Sequence, residues 1–275
     1  MQIVKLKNGL GLNVQVLNPE GREAIIMIHG MFGNLAQYYL TIAPFIAKEY
    51  KVILFDLKSQ GRSDRMETGY DLKTFAEEVV GLADSLGLEK VHLLGYSFGC
   101  LIALKCAMEF PERIGKVVTI EVPDKSREPL MARGSYTYDH FNYFVHYLNT
   151  DVRENFFRSK RQMQNTFNMY EYVFNHTTFA EDMNNEKEFQ QADFAKIKSP
   201  VLLAFGRESI CCKELVRIMN WIPFTDIYLE EGSHDFFVEK VEQSSKRIIE
   251  FLNSSASFSN PSFESVDQAI APGTL

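Results

Sequence analysis

One stretch of the sequence has the makings of covalent chemistry: Gly95-Tyr96-Ser97-Phe98-Gly99, a serine placed between two glycines at fixed spacing. Before it runs the short apolar segment Val91-His92-Leu93-Leu94. After it runs Cys100 to Met108, which is apolar and rich in helix formers. The context is therefore strand, sharp turn, helix, and G-x-S-x-G in that context reads as a nucleophile elbow. The serine sits on a strained turn, and a side chain at either flanking glycine would collide with the neighbouring strand or helix. Such a turn pushes the serine oxygen out at the carboxyl end of the sheet. The helix that follows aims its first N–H groups at the same spot, where negative charge would develop. A serine hydroxyl is a weak nucleophile, so it needs a base within hydrogen-bond reach.

The composition allows a fold large enough to hold such a site. The 275 residues suit one large domain, or one domain with an insertion. An apolar fraction of 45% is ordinary for a soluble protein. A net charge of −7 argues against a general nucleic-acid binder. The four cysteines are Cys100, Cys106, Cys211 and Cys212. The last two are adjacent, which is poor disulfide geometry, and no spacing looks like a metal site. Reduced thiols and a cytoplasmic location are the expectation. The N-terminal stretch Met1 to Lys7 alternates like a strand and does not read as a signal peptide. No run of about 18 apolar residues is present, so no membrane span is expected.

The elements that must position the serine can be read in order. Residues 2–6 and 11–17 form a hairpin pattern around Asn8-Gly9. Ala24 to Ile28 is a fully apolar strand that runs into His29-Gly30-Met31-Phe32-Gly33. Residues 36–48 read as a helix. Lys51 to Phe55 is a buried strand ending in Asp56, and a loop to Asp64 follows. Asp71 caps a helix reaching about residue 86. Then come strand 91–94, the elbow, helix 98–109 and strand 116–121. The rhythm resumes with strand 201–205, a helix near 212–220, strand 226–229 and a helix over 237–252. In that last helix Val238, Val241, Ile248, Ile249 and Leu252 fall at helical spacing. Short apolar strands alternating with helices predict an α/β fold, a mostly parallel doubly wound sheet covered on both faces.

Between the two runs, residues 123–196 are polar and aromatic-rich, with helical stretches and no buried strand. They read as a helical lid inserted between core segments 1–122 and 197–252. Residues 253–275, rich in Ser, Pro and Asn, read as a flexible tail.

Four motifs in this order resemble the α/β-hydrolase fold family: His29 to Gly33, the D-x-x-x-x-G-x-S loop from Asp56 to Ser63, Gly95 to Gly99, and Gly232-Ser233-His234 before the last helix. The resemblance covers roughly residues 20–122 and 199–252. The His-Gly-Met-Phe-Gly start and Glu121 look most similar to small bacterial esterases of the YbfF-like group. The resemblance implies a serine-nucleophile enzyme with no cofactor and no metal.

It also implies roles. Ser97 is the nucleophile and His234, on a loop after a strand, is the base, in the family's chain order of serine, acid, histidine. The acid departs from pattern. Where family members often show Gly-x-x-Asp, this chain has Gly206-Arg207-Glu208-Ser209. Glu121, at the end of the strand after the elbow helix, is the favoured acid, and Glu208 is the alternative. Asp124 and Asp235 are weaker candidates. The backbone N–H groups of Met31 and Phe98 would form the oxyanion hole, each worth about 2.7–4 kcal/mol in the transition state. Met31, Phe32, Tyr96 and Phe98 would line an apolar acyl pocket.

The inserted segment carries many aromatics, among them Tyr136, Tyr143, Phe157, Phe167, Tyr170 and Phe174, which either pack lid helices or roof the site. Arg153, Arg158, Lys160 and Arg161 form a basic cluster, either a solvated face or a grip for an anionic tail such as a carrier's phosphopantetheine or coenzyme A. Three function classes follow: hydrolysis of an ester or thioester of a hydrophobic substrate through an acyl-enzyme; acyl transfer, carbon–carbon cleavage or lyase chemistry on the same frame; and a receptor or scaffold without turnover.

Overall fold

The computed structural model describes residues 2–31, 33–123 and 160–255. Its strands are β1 (Gln2–Lys5), β2 (Gly11–Leu17), β3 (Ala24–Ile28), β4 (Lys51–Phe55), β5 (Val91–Tyr96), β6 (Ile114–Ile120), β7 (Val201–Gly206) and β8 (Thr225–Glu230). They form one sheet in the order β1-β2-β4-β3-β5-β6-β7-β8. β2 pairs antiparallel with β1 and β4, and every pairing from β4 to β8 is parallel. After β3 the chain steps to one side for β4 and then crosses back to lay β5 on the other side. That reversal opens a crevice at the carboxyl ends of β3 and β5, where open parallel sheets bind ligands.

The first helices are α1 (Ala36–Tyr39) and α2 (Ala43–Ile46). The single helix expected over residues 36–48 is thus divided. Pro44 lacks an N–H and cannot sit in a helix interior, so the chain restarts with the proline in the first turn of α2. Next come α3 (Leu72–Ser85), with the Asp71 side chain accepting from Thr74 N–H, and α4 (Phe98–Glu109). α4 is buried almost all round, as suits a helix pressed between sheet and neighbours.

Between β6 and β7 lie α5 (Lys160–Asn175), α6 (Phe179–Asn185) and α7 (Gln191–Phe194). α6 is fastened to the core. Asp182 Oδ2 accepts the Tyr70 N–H at 2.8 Å and Glu186 Oε2 accepts the Leu72 N–H at 3.0 Å, both at the start of α3. The Phe179 ring lies 5.7 Å from Tyr70 and 6.5 Å from Phe98. Tyr170, Val173, Phe179 and Met183 are buried with the main core, so among the described residues these aromatics pack.

After β7 a 3₁₀ turn (Ile210–Glu214) leads into α8 (Leu215–Trp221). The helix expected over 237–252 is also two: α9 (Phe236–Glu239) and α10 (Val241–Asn253), broken at Lys240 with φ −111° and ψ 49°. The break turns Val238 outward, at 42% exposure, while Phe236 and Phe237 are buried. All four cysteines are buried thiols outside any disulfide. No helix among the described residues is long and apolar enough to cross a membrane.

Candidate active site

Ser97 stands at the tip of β5 with φ 50° and ψ −118°, outside the conformations that L-residues favour. The two glycines around it are dictated by space. A Cβ on Gly95 would lie 2.3 Å from Gly99 O, and one on Gly99 would lie 2.1 Å from Ile28 O. The end of β3, the elbow and α4 therefore touch backbone to backbone. Gly30 joins them: its Cβ would meet the Tyr96 ring at 2.9 Å and Ser97 Cβ at 3.6 Å. Phe98 opens α4, so its N–H is one of those no helical carbonyl reaches, and Met31 follows Gly30 directly.

The loop that carries Met31 is held from beneath. His29 is fully buried, and its Nε2 accepts the Leu57 N–H at 3.0 Å. Nδ1 must then carry the ring proton, which it donates to Gly30 O at 2.7 Å. Burial lowers the His29 pKa against the opposing pull of Asp56, which keeps the ring neutral. Asp56 accepts from Leu35 N–H, Asn13 Nδ2 and Arg62 N–H, each at 2.8 Å. Gly61, with φ 56°, lies so close that a Cβ would sit 2.1 Å from Asp56 Oδ2. The D-x-x-x-x-G-x-S spacing thus describes a brace for the loop that carries Met31.

Glu121 lies one strand over. Tyr96 pairs with Ile120 and Ile120 with Ala204, and Ser97 N–H donates to Ile120 O at 2.9 Å. Ser97 and Glu121 are therefore close in register at the carboxyl ends of adjacent strands. Glu121 too has a left-handed backbone, with φ 62°, and it is fully buried. Each left-handed non-glycine residue costs on the order of 1–3 kcal/mol and persists only where its surroundings hold it. The Glu121 carboxylate accepts from Gly206 N–H through Oε1 and from Ser209 Oγ through Oε2. Its Oε2 also lies 3.2 Å from His234 Nδ1.

His234 sits on the turn between β8 and α9, with 37% of its side chain exposed. β7 presses against this turn. A Cβ on Gly206 would fall 2.4 Å from both Gly232 O and Ser233 O, and Glu208 N–H donates to Gly232 O at 3.1 Å. Tyr96 joins the turn to the elbow: its hydroxyl donates to Asp235 Oδ1 at 2.6 Å, and its ring centroid lies 5.1 Å from that of His234. Tyr96 is buried, and burial next to the Asp235 carboxylate pushes its hydroxyl pKa well up.

The structure thus gathers Ser97, Glu121, His234, Tyr96, Gly30 and the Phe98 N–H at the carboxyl end of the sheet. Glu208 is exposed and reaches the histidine turn through its backbone, while the carboxylate beside His234 is that of Glu121. Asp235 bonds to Tyr96. Phe32, Asp124, Arg153 and Arg158 fall outside the described residues; Arg161 is exposed. Two neighbours of the site carry little signal in the sequence. Ser209 serves Glu121, and the Gly-x-x-Ser departure was its only trace in the sequence. Cys211 Sγ lies 3.7 Å from His234 Nδ1, and no spacing signalled it. One ligand atom from each of Glu121, Cys211 and His234 falls within 4.8 Å of the others, a set able to hold a metal ion.

Comparison with known proteins agrees with this frame. The family model described as alpha/beta hydrolase fold matches residues 23–211. A 2-hydroxy-6-oxononadienedioate/2-hydroxy-6-oxononatrienedioate hydrolase of Pseudomonas putida is 28% identical over 85% of this chain and 88% of its own. A 2-hydroxy-6-oxo-6-phenylhexa-2,4-dienoate hydrolase of Burkholderia cepacia is 44% identical over a shorter stretch, 37% of each chain. Both relatives are bacterial hydrolases, and neither points specifically to the YbfF-like group. Among solved structures, a meta-cleavage product hydrolase from Pseudomonas fluorescens superposes with a TM-score of 0.71 at 19% identity, covering 93% of this chain and 98% of that one. An esterase from Exiguobacterium antarcticum gives 0.70 at 19% identity, covering 92% and 99%.

Proposed function

The chain belongs to the α/β hydrolase fold family, and on that premise we propose that it is a serine hydrolase in which Ser97, His234 and Glu121 act together. The observation that carries this reading is the 3.2 Å approach of Glu121 Oε2 to His234 Nδ1, beside a serine on a strained elbow. Glu121 fixes the imidazole with its proton on Nδ1 and leaves Nε2 as the base. Ser97 Oγ attacks the substrate's carbonyl carbon and passes its proton to Nε2. The oxyanion receives the N–H groups of Met31 and Phe98. The leaving group departs with the proton from His234, and water, deprotonated in turn by Nε2, releases the acyl group from Ser97.

The bond broken is an ester or thioester of a hydrophobic acid. Half-buried Met31, packed on the core, supports an apolar acyl group. A second reading, hydrolysis of a carbon–carbon bond next to a ketone, is favoured by the Pseudomonas putida relative, which matches most of the chain. The same serine and oxyanion hole serve it, with the proton delivered to carbon.

A serine-directed fluorophosphonate tests the common step. The folded protein should label at Ser97, and Ser97→Ala should abolish both labelling and turnover, the latter by more than about 10³-fold. An unlabelled folded protein overturns the reading. Rates on matched aryl esters, acyl thioesters and 2-hydroxy-6-oxo-dienoates then separate the two bond types.

A further inference from the structure

At the edge of the site stands a side chain that the hydrolase chemistry does not require, Cys211, within reach of two that it does. Cys211 stands in the 3₁₀ turn after β7, and its Sγ lies 3.7 Å from Nδ1 of His234. Glu121 Oε2 lies 3.2 Å from the same nitrogen. Sulfur, imidazole nitrogen and carboxylate oxygen are the three ligand types of zinc. Zinc bonds of about 2.0–2.3 Å at tetrahedral angles place neighbouring ligand atoms roughly 3.4–3.6 Å apart. The nitrogen–oxygen and nitrogen–sulfur separations here bracket that span. The half-exposed His234 ring gives an ion a way in from solvent and leaves a fourth position for water. A thiolate ligand selects zinc-like ions over magnesium or calcium, which prefer oxygen alone.

We propose that Glu121, Cys211 and His234 form an inhibitory site for zinc-like divalent cations. The inhibitory half rests on the reading of His234 as the base; the binding half does not. On binding, the Cys211 thiol gives its proton to solvent and the thiolate takes the metal. The metal occupies the Nδ1 lone pair, so the ring proton moves to Nε2. An imidazole bonded at Nδ1 and protonated at Nε2 has no lone pair left for the proton of Ser97. Glu121 is drawn to the cation at the same time. The device converts a base into a spectator without moving the backbone.

Cobalt(II) reports binding independently of activity. Added to the protein with a non-thiol reductant, it should give the near-ultraviolet thiolate-to-cobalt absorption band, and zinc should displace it. The band should be the same in Ser97→Ala, which has no turnover. Cys211→Ser should weaken cobalt binding by more than about tenfold, the least that loss of even an outer partner of a metal costs. Cys212→Ser should keep it. If Cys211→Ser does not fold, His234→Gln, altered at a half-exposed ring, must lose the band as well. Zinc should inhibit the wild type, and Cys211→Ser should resist it whatever its basal rate. No band in the wild type, an unchanged band in Cys211→Ser, or equal zinc inhibition of both proteins overturns the proposal. A band in a protein without hydrolase activity leaves the metal site standing and removes the hydrolase reading alone.

Discussion

The hydroxyl of Ser209 donates to Oε2 of Glu121, the same oxygen that faces His234. Ser209, where the resemblance to the family leads one to expect aspartate, instead donates to a carboxylate at the end of the neighbouring strand. Ser209→Ala should lower kcat by about ten- to a hundredfold, the worth of a hydrogen bond to a charged group, with little change in KM. Ser209→Asp should be worse, because two carboxylates in contact cannot both stay ionised. Steady-state kinetics and thermal melting of both variants check this.

Exchange of the two candidate acids separates them. Glu121→Gln should cost about 10⁴-fold in kcat, since the amide cannot hold the imidazolium. Glu208→Gln, at an exposed carboxylate, should stay within about threefold. Losses under about tenfold in both variants would refute the assignment of Glu121.

Tyr96→Phe removes the 2.6 Å hydrogen bond to Asp235 and keeps the ring against His234. Loss of that bond, made to a carboxylate, should destabilise the fold by about 1.5–3 kcal/mol and lower kcat with it. Urea unfolding and turnover, measured together, should both shift; a change in neither removes Tyr96 from the site's support.

Stability should fall on mild acidification. His29 and His92 both have pKa values lowered below the usual 6.5, chiefly by burial, while Asp56 and Glu23 oppose the shift. A basic group depressed in the folded state takes up protons more readily when unfolded. Their contribution is therefore present above pH 6.5 and is lost as pH drops below it. Urea midpoints at pH 7.5, 6.5 and 5.5 should decrease in that order, and His92→Gln should flatten the slope. A midpoint independent of pH would contradict the sign.

Much of this architecture is legible in the residues. Short continuous apolar runs such as Ala24–Ile28 and Val201–Phe205, rich in branched side chains or bounded by turn residues, point to buried strands, and both are. Gly95, Gly99 and Gly61 mark places where backbone or carboxylate comes too close for a Cβ. The parts that stayed hidden depend on distance across the sheet. Nothing near Glu121 in sequence names Ser209, 88 positions on, as a donor to its carboxylate. The left-handed backbone of Glu121 is equally silent, since glutamate carries no preference for it. The breaks at Pro44 and Lys240 show the other limit: apolar spacing reports a face, and a backbone angle can divide the helix beneath it.

The fastening of α6 to the start of α3 makes late chain a foundation for early chain. Asp182 and Glu186 cap backbone groups more than a hundred positions upstream, and Phe179 leans on the ring of Phe98, the residue whose backbone N–H we propose as an oxyanion donor. Residues 178–186 and α3 should therefore exchange their amide hydrogens as one cooperative unit. Disturbance of that clasp, far from any substrate, would be felt as a change in the height at which Phe98 presents its N–H.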